Sequence, residues 1–300
     1  MRESGPILLA LDGSELSEGA LPYAVALAKA LGADLLLTTV WEGADTEAAA
    51  AFPAMVVEIE QKATEYFTAY LERVKAGLSG VQAEAVLRNG DAAEEILKTA
   101  EERGARLLVI ATHGRSGIGR WLYGSTASRL LREATLPVVA VGPHALERRA
   151  VQVQVRHIMV PLDGSELAEA AVPVAHSVAR AAGAKVSLVR GVRWAAMAYP
   201  YTLPDAYLPQ IDEELEAGAK AYLKRKREAI EGVEADAFVV RGSIADGLIE
   251  FVEKQSVDLV VMTTHARSGL KRAALGSVAD RMLQGPTPVM LVPPAALGGG

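Results

Sequence analysis

An internal repeat constrains this chain more than any other feature. The segment Ile7-Leu8-Leu9-Ala10-Leu11-Asp12-Gly13-Ser14-Glu15-Leu16 returns as Ile158-Met159-Val160-Pro161-Leu162-Asp163-Gly164-Ser165-Glu166-Leu167, an offset of 151 from Asp12 to Asp163. His113 with Arg115-Ser116-Gly117 returns as His265 with Arg267-Ser268-Gly269, and Gly124-Ser125 returns as Gly276-Ser277, an offset of 152. Leu136-Pro137-Val138-Val139 returns as Thr287-Pro288-Val289-Met290. Solenoid repeats are far shorter. This period is the length of a domain, so two tandem domains are expected, over residues 1–146 and 151–297. The linker is expected near His144 to Gln154, where Pro143 and the polar run Glu147-Arg148-Arg149 break the pattern. Half of the 300 residues are hydrophobic, enough for a core in each half.

Each half alternates strand and helix. In the first, Ile7–Leu11 is a continuous apolar strand, and Glu15–Leu31 has helical spacing up to Gly32, a helix-stop residue. Pro22 inside that stretch predicts a kink or a late start, and Pro173 repeats it. Further strands are read at Leu35–Val40, Val81–Leu87, Leu107–Thr112 and Pro137–Val141, with helices at Val56–Lys75, Ala92–Arg103 and Ser125–Glu133. Asp91 suits the N-cap of Ala92–Arg103, and Ser243 takes its place in the second half. Strands apolar on both faces and separated by helices predict a parallel sheet covered on both sides. The fold class is therefore α/β: two tandem doubly wound domains, each a five-stranded parallel sheet.

Composition excludes several functions. There are no cysteines, so disulfides, thiolate metal sites and thiol catalysis are absent. A net charge of −6, from 31 basic and 37 acidic residues, argues against nonspecific nucleic-acid binding. The basic run Lys224-Arg225-Lys226-Arg227 reads as a solvated helix face. No apolar run is long enough to span a bilayer, and Ile7–Leu11 is too short for a signal peptide. A cytoplasmic protein without membrane partners is expected.

Ligands of doubly wound sheets bind beyond the C-terminal strand ends. Asp12, and Asp163 in the repeat, stand at the tip of a buried strand, where a carboxylate accepts hydrogen bonds from ribose hydroxyls. Asp-Gly-Ser is also turn chemistry, and an N-cap role stands beside the ligand role. The segment His113 to Thr126 is a glycine-bearing loop feeding a helix N-terminus, a natural phosphate site. Gly114 and Gly124 allow close approach, Ser125 and Thr126 add hydroxyls, and Arg115 and Arg120 add charge. A plain surface loop is the alternative. The P-loop lysine is missing, with Ser125 in its place, and Leu122 occupies the last glycine of a dinucleotide fingerprint.

These residues resemble the universal stress protein family, nearly over the whole chain and twice. ATP-binding members of that family carry Gly-x2-Gly-x9-Gly-Ser/Thr after the fourth strand. Gly114-x9-Gly124-Ser125 fits its second part, while Ala111 replaces the first glycine. Thr112-His113-Gly114-Arg115-Ser116-Gly117 and Asp12-Gly13-Ser14-Glu15 are typical of the family. The resemblance implies strand order 3-2-1-4-5 and ATP, with Mg²⁺ carried on its phosphates. It implies ribose held at Asp12, adenine at the backbone of Val40, and phosphates at Gly114, Gly124 and Ser125. Ala111, His113, Arg115 and Thr126 complete that loop. In the second half Thr263 and Ala266 replace both early glycines, whereas Asp163, Val192, Gly276 and Ser277 match. The resemblance also implies pairing through the fifth strands, Val138–Val141 and Val289–Val292, within one chain as a pseudo-dimer or between two chains.

The leading expectation is an ATP-binding regulatory or stress-response protein, with no catalytic residues and at most slow hydrolysis. Its alternatives are a nucleotide-dependent enzyme on the same fold, for which His113 and His265 are the only obvious bases, and a scaffold without nucleotide. No nucleophile elbow is present, because Gly114-Arg115-Ser116-Gly117-Ile118 lacks the closing glycine. The segments Glu42–Met55 and Arg193–Gln210 differ most between the halves. The second carries Tyr199, Pro200, Tyr201, Pro204, Tyr207 and Pro209, which fit a partner site or an aromatic lid.

Overall fold

A computed structural model describes residues 2, 4–43, 51, 53–112, 123–147, 153–194, 207–263 and 275–294. The chain divides into two compact units, with the boundary between Val153 and Gln154.

In the first unit the strands are β1 (Ile7–Ala10), β2 (Leu35–Trp41), β3 (Ala83–Asn89), β4 (Leu107–Ala111) and β5 (Val138–Val141). They are parallel in the order β3-β2-β1-β4-β5. Ile7 pairs with Leu35 on one side and Leu107 on the other. Ile7, Leu8, Leu9, Leu107 and Leu108 are all fully buried. This is what a strand covered on both faces requires, and it explains the unbroken apolar runs.

The helices that cover the sheet are α1 (Glu15–Glu18), α2 (Leu21–Leu31), α3 (Pro53–Ala76), α4 (Ala92–Glu102) and α5 (Ser125–Glu133). The stretch Glu15–Leu31 is two helices. Pro22 lies in the first turn of α2, where its missing N–H costs no hydrogen bond. On α3 the residues Phe67, Tyr70, Leu71 and Val74 are buried while Val57 and Tyr66 are exposed, the two faces of one amphipathic helix. Asp91 caps α4, accepting the Glu94 amide at 2.9 Å. That amide, joined by the Arg129 guanidinium of α5, holds the Asp91 carboxyl below the ordinary carboxylate range. A short helix α6 (Pro143–Glu147) occupies the start of the stretch read as linker, with Ala145 and Leu146 buried.

The second unit repeats the plan with β6 (His157–Pro161), α7 (Glu166–Glu169), α8 (Ala171–Ala182), β7 (Lys185–Val192), α9 (Leu208–Glu228), β8 (Ala235–Arg241), α10 (Ile244–Lys254), β9 (Leu259–Thr263), α11 (Ser277–Leu283) and β10 (Val289–Val292). Its strand order is β8-β7-β6-β9-β10, again 3-2-1-4-5 within the unit. Pro173 falls in the first turn of α8, as Pro22 does in α2. Ser243 stands at the N-cap of α10 but makes no side-chain capping bond, and its hydroxyl donates to Asp246 at 2.7 Å. Asp246 in turn meets Arg281 of α11. The acid that links these two helices has moved three positions along from the place of Asp91. In the basic run Lys224 and Arg225 are exposed, while Lys226 turns to Glu169 at 2.5 Å. Among the described residues no helix is long and apolar enough to cross a membrane.

His157 opens β6 and is buried. Its Nδ1 lies 2.9 Å from the Gln255 carbonyl and its Nε2 2.7 Å from the Ser187 hydroxyl, so a neutral ring donates to the first and accepts from the second. Burial lowers its pKa below the ordinary histidine value, and this outweighs the Gln255 carbonyl, which favours the charged ring. A lowered folded-state pKa gives a contribution to stability that is present above the unfolded value of about 6.5 and is lost as pH falls through the folded value. Urea unfolding followed from pH 7.5 downward is expected to lose stability below that point. His157→Gln is expected to remove this component of the pH slope, and an unaltered slope would contradict the assignment.

Candidate functional site

The C-terminal strand ends of the first unit surround a cleft of about 360 Å³. Asp12, Val40, Trp41, Ala111, Thr112, Gly124, Ser125 and Thr126 line it, together with Phe67 of α3 and Ala92 and Ile96 of α4. It lies where the winding reverses between β1 and β4, the ligand position of this architecture. Its size lies within the range of small-molecule sites.

Asp12 follows β1 at the head of a tight turn. Its Oδ1 accepts from the Ser14 amide at 2.9 Å and the Ser14 hydroxyl at 2.6 Å. Gly13 adopts φ +83°, a conformation that costs other residues about 1–2 kcal/mol. The N-cap of α1 is Ser14, which accepts the Ser17 amide at 3.1 Å. Asp12 orients the capping residue and does not cap the helix itself. Asp163 repeats the turn on Ser165 at 2.9 and 2.6 Å, with Gly164 at φ +90°.

At the other wall, Gly124 donates its amide to the Thr112 carbonyl at 3.1 Å, which ties the start of α5 to the end of β4. The first-turn amides of a helix have no intrahelical acceptor. Gly124 brings no side chain to satisfy them, and α5 has no acid in its first turn. They therefore present donors and the positive end of the helix dipole, an anion site. Gly124 is not there for a left-handed backbone, since its φ is −53°. Among the described residues a β-carbon on it would meet no atom nearer than the Thr112 carbonyl oxygen at 4.0 Å, so what glycine provides is room.

Asp12, Val40, Ala111, Gly124, Ser125 and Thr126 thus converge on one cleft. His113, Gly114 and Arg115, with Arg120, lie outside the described residues, as do Ala266, His265, Tyr199, Pro200, Tyr201 and Pro204. In the second unit Thr263 ends β9 at the register of Ala111, beside Val292 as Ala111 is beside Val141. Gly276 precedes α11 with φ −62° and, among the described residues, nothing within 4 Å of an added β-carbon. Val192 is not the counterpart of Val40. Gly242 donates to the Val192 carbonyl as Gly90 donates to that of Trp41, so Val192 matches Trp41 and Gly191 matches Val40.

Sequence reasoning missed the apolar wall. Trp41 and Phe67 meet with ring centroids 6.0 Å apart, and Ala92 and Ile96 lie one turn apart on α4. The signal was available, because Phe67 sits on the buried face of an amphipathic helix and Trp41 continues a buried strand past the apolar run.

Comparison with known proteins follows the duplication. The model of the Universal stress protein family matches residues 4–142 and 154–293. Universal stress protein YxiE of Bacillus subtilis is 34% identical over 143 residues, covering 45% of this chain and 97% of its own. A universal stress protein of Mycolicibacterium smegmatis is 28% identical over 295 residues, covering 96% of this chain and 97% of its own. The crystal structure of a universal stress protein from Archaeoglobus fulgidus shares the fold, with TM-score 0.67 and 19% identity over 97% of this chain and 98% of that one.

Proposed function

The chain belongs to the universal stress protein family in both halves, and from that premise we propose that its first unit binds ATP in a regulatory or stress-response role. The observation that carries this is the convergence of a turn-fixed carboxylate, Asp12, and the uncapped N-terminus of α5 on opposite walls of one cleft of nucleotide size. The carboxylate suits ribose hydroxyls, and the α5 amides with Ser125 and Thr126 suit phosphate oxygens. The apolar wall of Trp41, Phe67 and Ile96 suits a base, whose polar edge reaches the backbone of Val40 at the strand end. Mg²⁺ would enter on the phosphates.

The proposal includes slow turnover, because the chemistry of the cleft is that of holding a nucleotide. Nucleotide extracted from freshly purified protein and identified by mass spectrometry is expected to be ATP, largely intact. Steady-state phosphate release is expected below about one per second, at the bottom of the enzymatic range. Release well above that rate, abolished by His113→Ala, would favour the enzyme reading. Protein free of nucleotide that also fails to take up added ATP would refute the binding reading.

A further inference from the structure

The second unit repeats the Asp–Gly–Ser turn and the glycine before the last helix, yet Arg190 stands against that turn and Ile244 against the end of β7. Arg190 stands in β7 at the register of Thr39 in β2, since Thr38 pairs with Ala10 as Val189 pairs with Pro161. Its guanidinium nitrogens come within 3.2 Å of the point where a β-carbon on Gly164 would stand. The planar group therefore lies on the turn that carries Asp163. It is held there by the ring of Tyr222, 4.7 Å from the centroid. Tyr222 is fixed in its turn by donating to Glu169 at 2.8 Å, and Glu169 also takes Lys226. A stem of this length buttressed by a ring and an ion pair is a built feature of the fold.

The second difference is at the base end. Gly191 has the register of Val40, and Ile244, the first residue of α10, has the place of Ala92 in α4. The Ile244 Cγ2 lies 2.6 Å from the β-carbon position of Gly191, so its branched side chain covers the backbone that is open to the cleft in the first unit.

We propose that Arg190, with Ile244, is the specificity-determining residue of the second cleft, which the chain fills with its own side chains so that ATP binds to the first unit alone. The guanidinium lies against the turn at the ribose end, not at the α11 terminus, and so competes with a nucleoside instead of pairing with its phosphates. This inference rests on the nucleotide reading of the first cleft.

The full chain tests it, with ATP as the probe in equilibrium dialysis. Wild type is expected to bind one ATP per chain and Gly124→Val none. Adding Arg190→Thr and Ile244→Ala, the residues of the first unit at those places, to Gly124→Val is expected to restore one ATP per chain. Loss of a cation–π contact of this kind corresponds to roughly a threefold to thirtyfold change in an equilibrium constant, so Arg190→Thr alone is expected to give that gain. Should threonine impair folding, Arg190→Met keeps an apolar stem on Tyr222 and removes only the guanidinium. Second-cleft binding in Gly124→Val that Arg190→Thr weakens would overturn the proposal, because Arg190 would then be a ligand. A folded, opened chain that stays empty would overturn it as well. A wild type that binds no ATP while the opened chain binds one would refute the reading of the first cleft and leave the closure of the second supported.

Discussion

Gly124→Val is expected to weaken ATP binding a hundredfold or more, about 3 kcal/mol, while leaving the fold in place. The two effects separate because of where the glycine stands. Its φ of −53° and ψ of 152° are open to valine, and among the described residues an added β-carbon meets nothing nearer than the Thr112 carbonyl oxygen at 4.0 Å. The cost to folding is therefore that of a poorer N-cap residue, about 1 kcal/mol. The cost to binding is larger, because the branched side chain fills the space in front of the first-turn amides of α5, which have no intrahelical acceptor. A phosphate oxygen cannot approach them within hydrogen-bond distance past a valine. Titration calorimetry measures the loss, and circular dichroism with a thermal melt establishes that the protein is folded. Undiminished affinity in folded Gly124→Val would place the phosphates elsewhere.

The sheet was legible because its strands are buried on both faces and so appear as unbroken apolar runs such as Ile7–Leu11. The break between α1 and α2 was legible in Pro22, and the turn of Asp12 in the Asp-Gly-Ser chemistry. The counterpart of Val40 was not. The offset between the copies is still 151 at β7, where Leu35 matches Val186, and becomes 152 only by β8, where Ala83 matches Ala235. Matching apolar strand ends chose Val192 over Gly191, since a glycine carries no apolar signal. The filling of the second cleft was equally hidden. Arg190 in sequence is one polar residue at the end of a strand, and only the placement of Tyr222 across the sheet shows where its guanidinium goes. Ser243 occupies the expected N-cap position, but position alone does not make a capping bond: its hydroxyl donates to Asp246 and accepts no helix amide.

Leu108→Ala is expected to cost about 3–5 kcal/mol of stability, the range for a leucine deleted from a core that cannot collapse around the void. Leu108 is fully buried in β4, hydrogen-bonded into the sheet between Leu8 of β1 and Val138 of β5. Neighbours on both sides are strands fixed by ladder bonds, so relaxation into the cavity is restricted. Leu108→Met, which conserves volume, is expected to cost under about 1.5 kcal/mol. Urea unfolding of both variants checks the difference, and a loss below about 1 kcal/mol in Leu108→Ala would contradict the packing described here. The same variant joins the core to the site. β4 ends at Ala111, and the Thr112 carbonyl beyond it receives the Gly124 amide, so the strand that loses its packing also holds the phosphate wall. A ligand that binds only the folded unit restores stability by mass action, about 2.7 kcal/mol at a hundred times its dissociation constant. ATP at that concentration is therefore expected to recover about half or more of the loss in Leu108→Ala. Adding Gly124→Val should abolish the recovery without deepening the loss by more than the cap costs. Recovery that survives Gly124→Val would mean that ATP stabilises the chain from a different site.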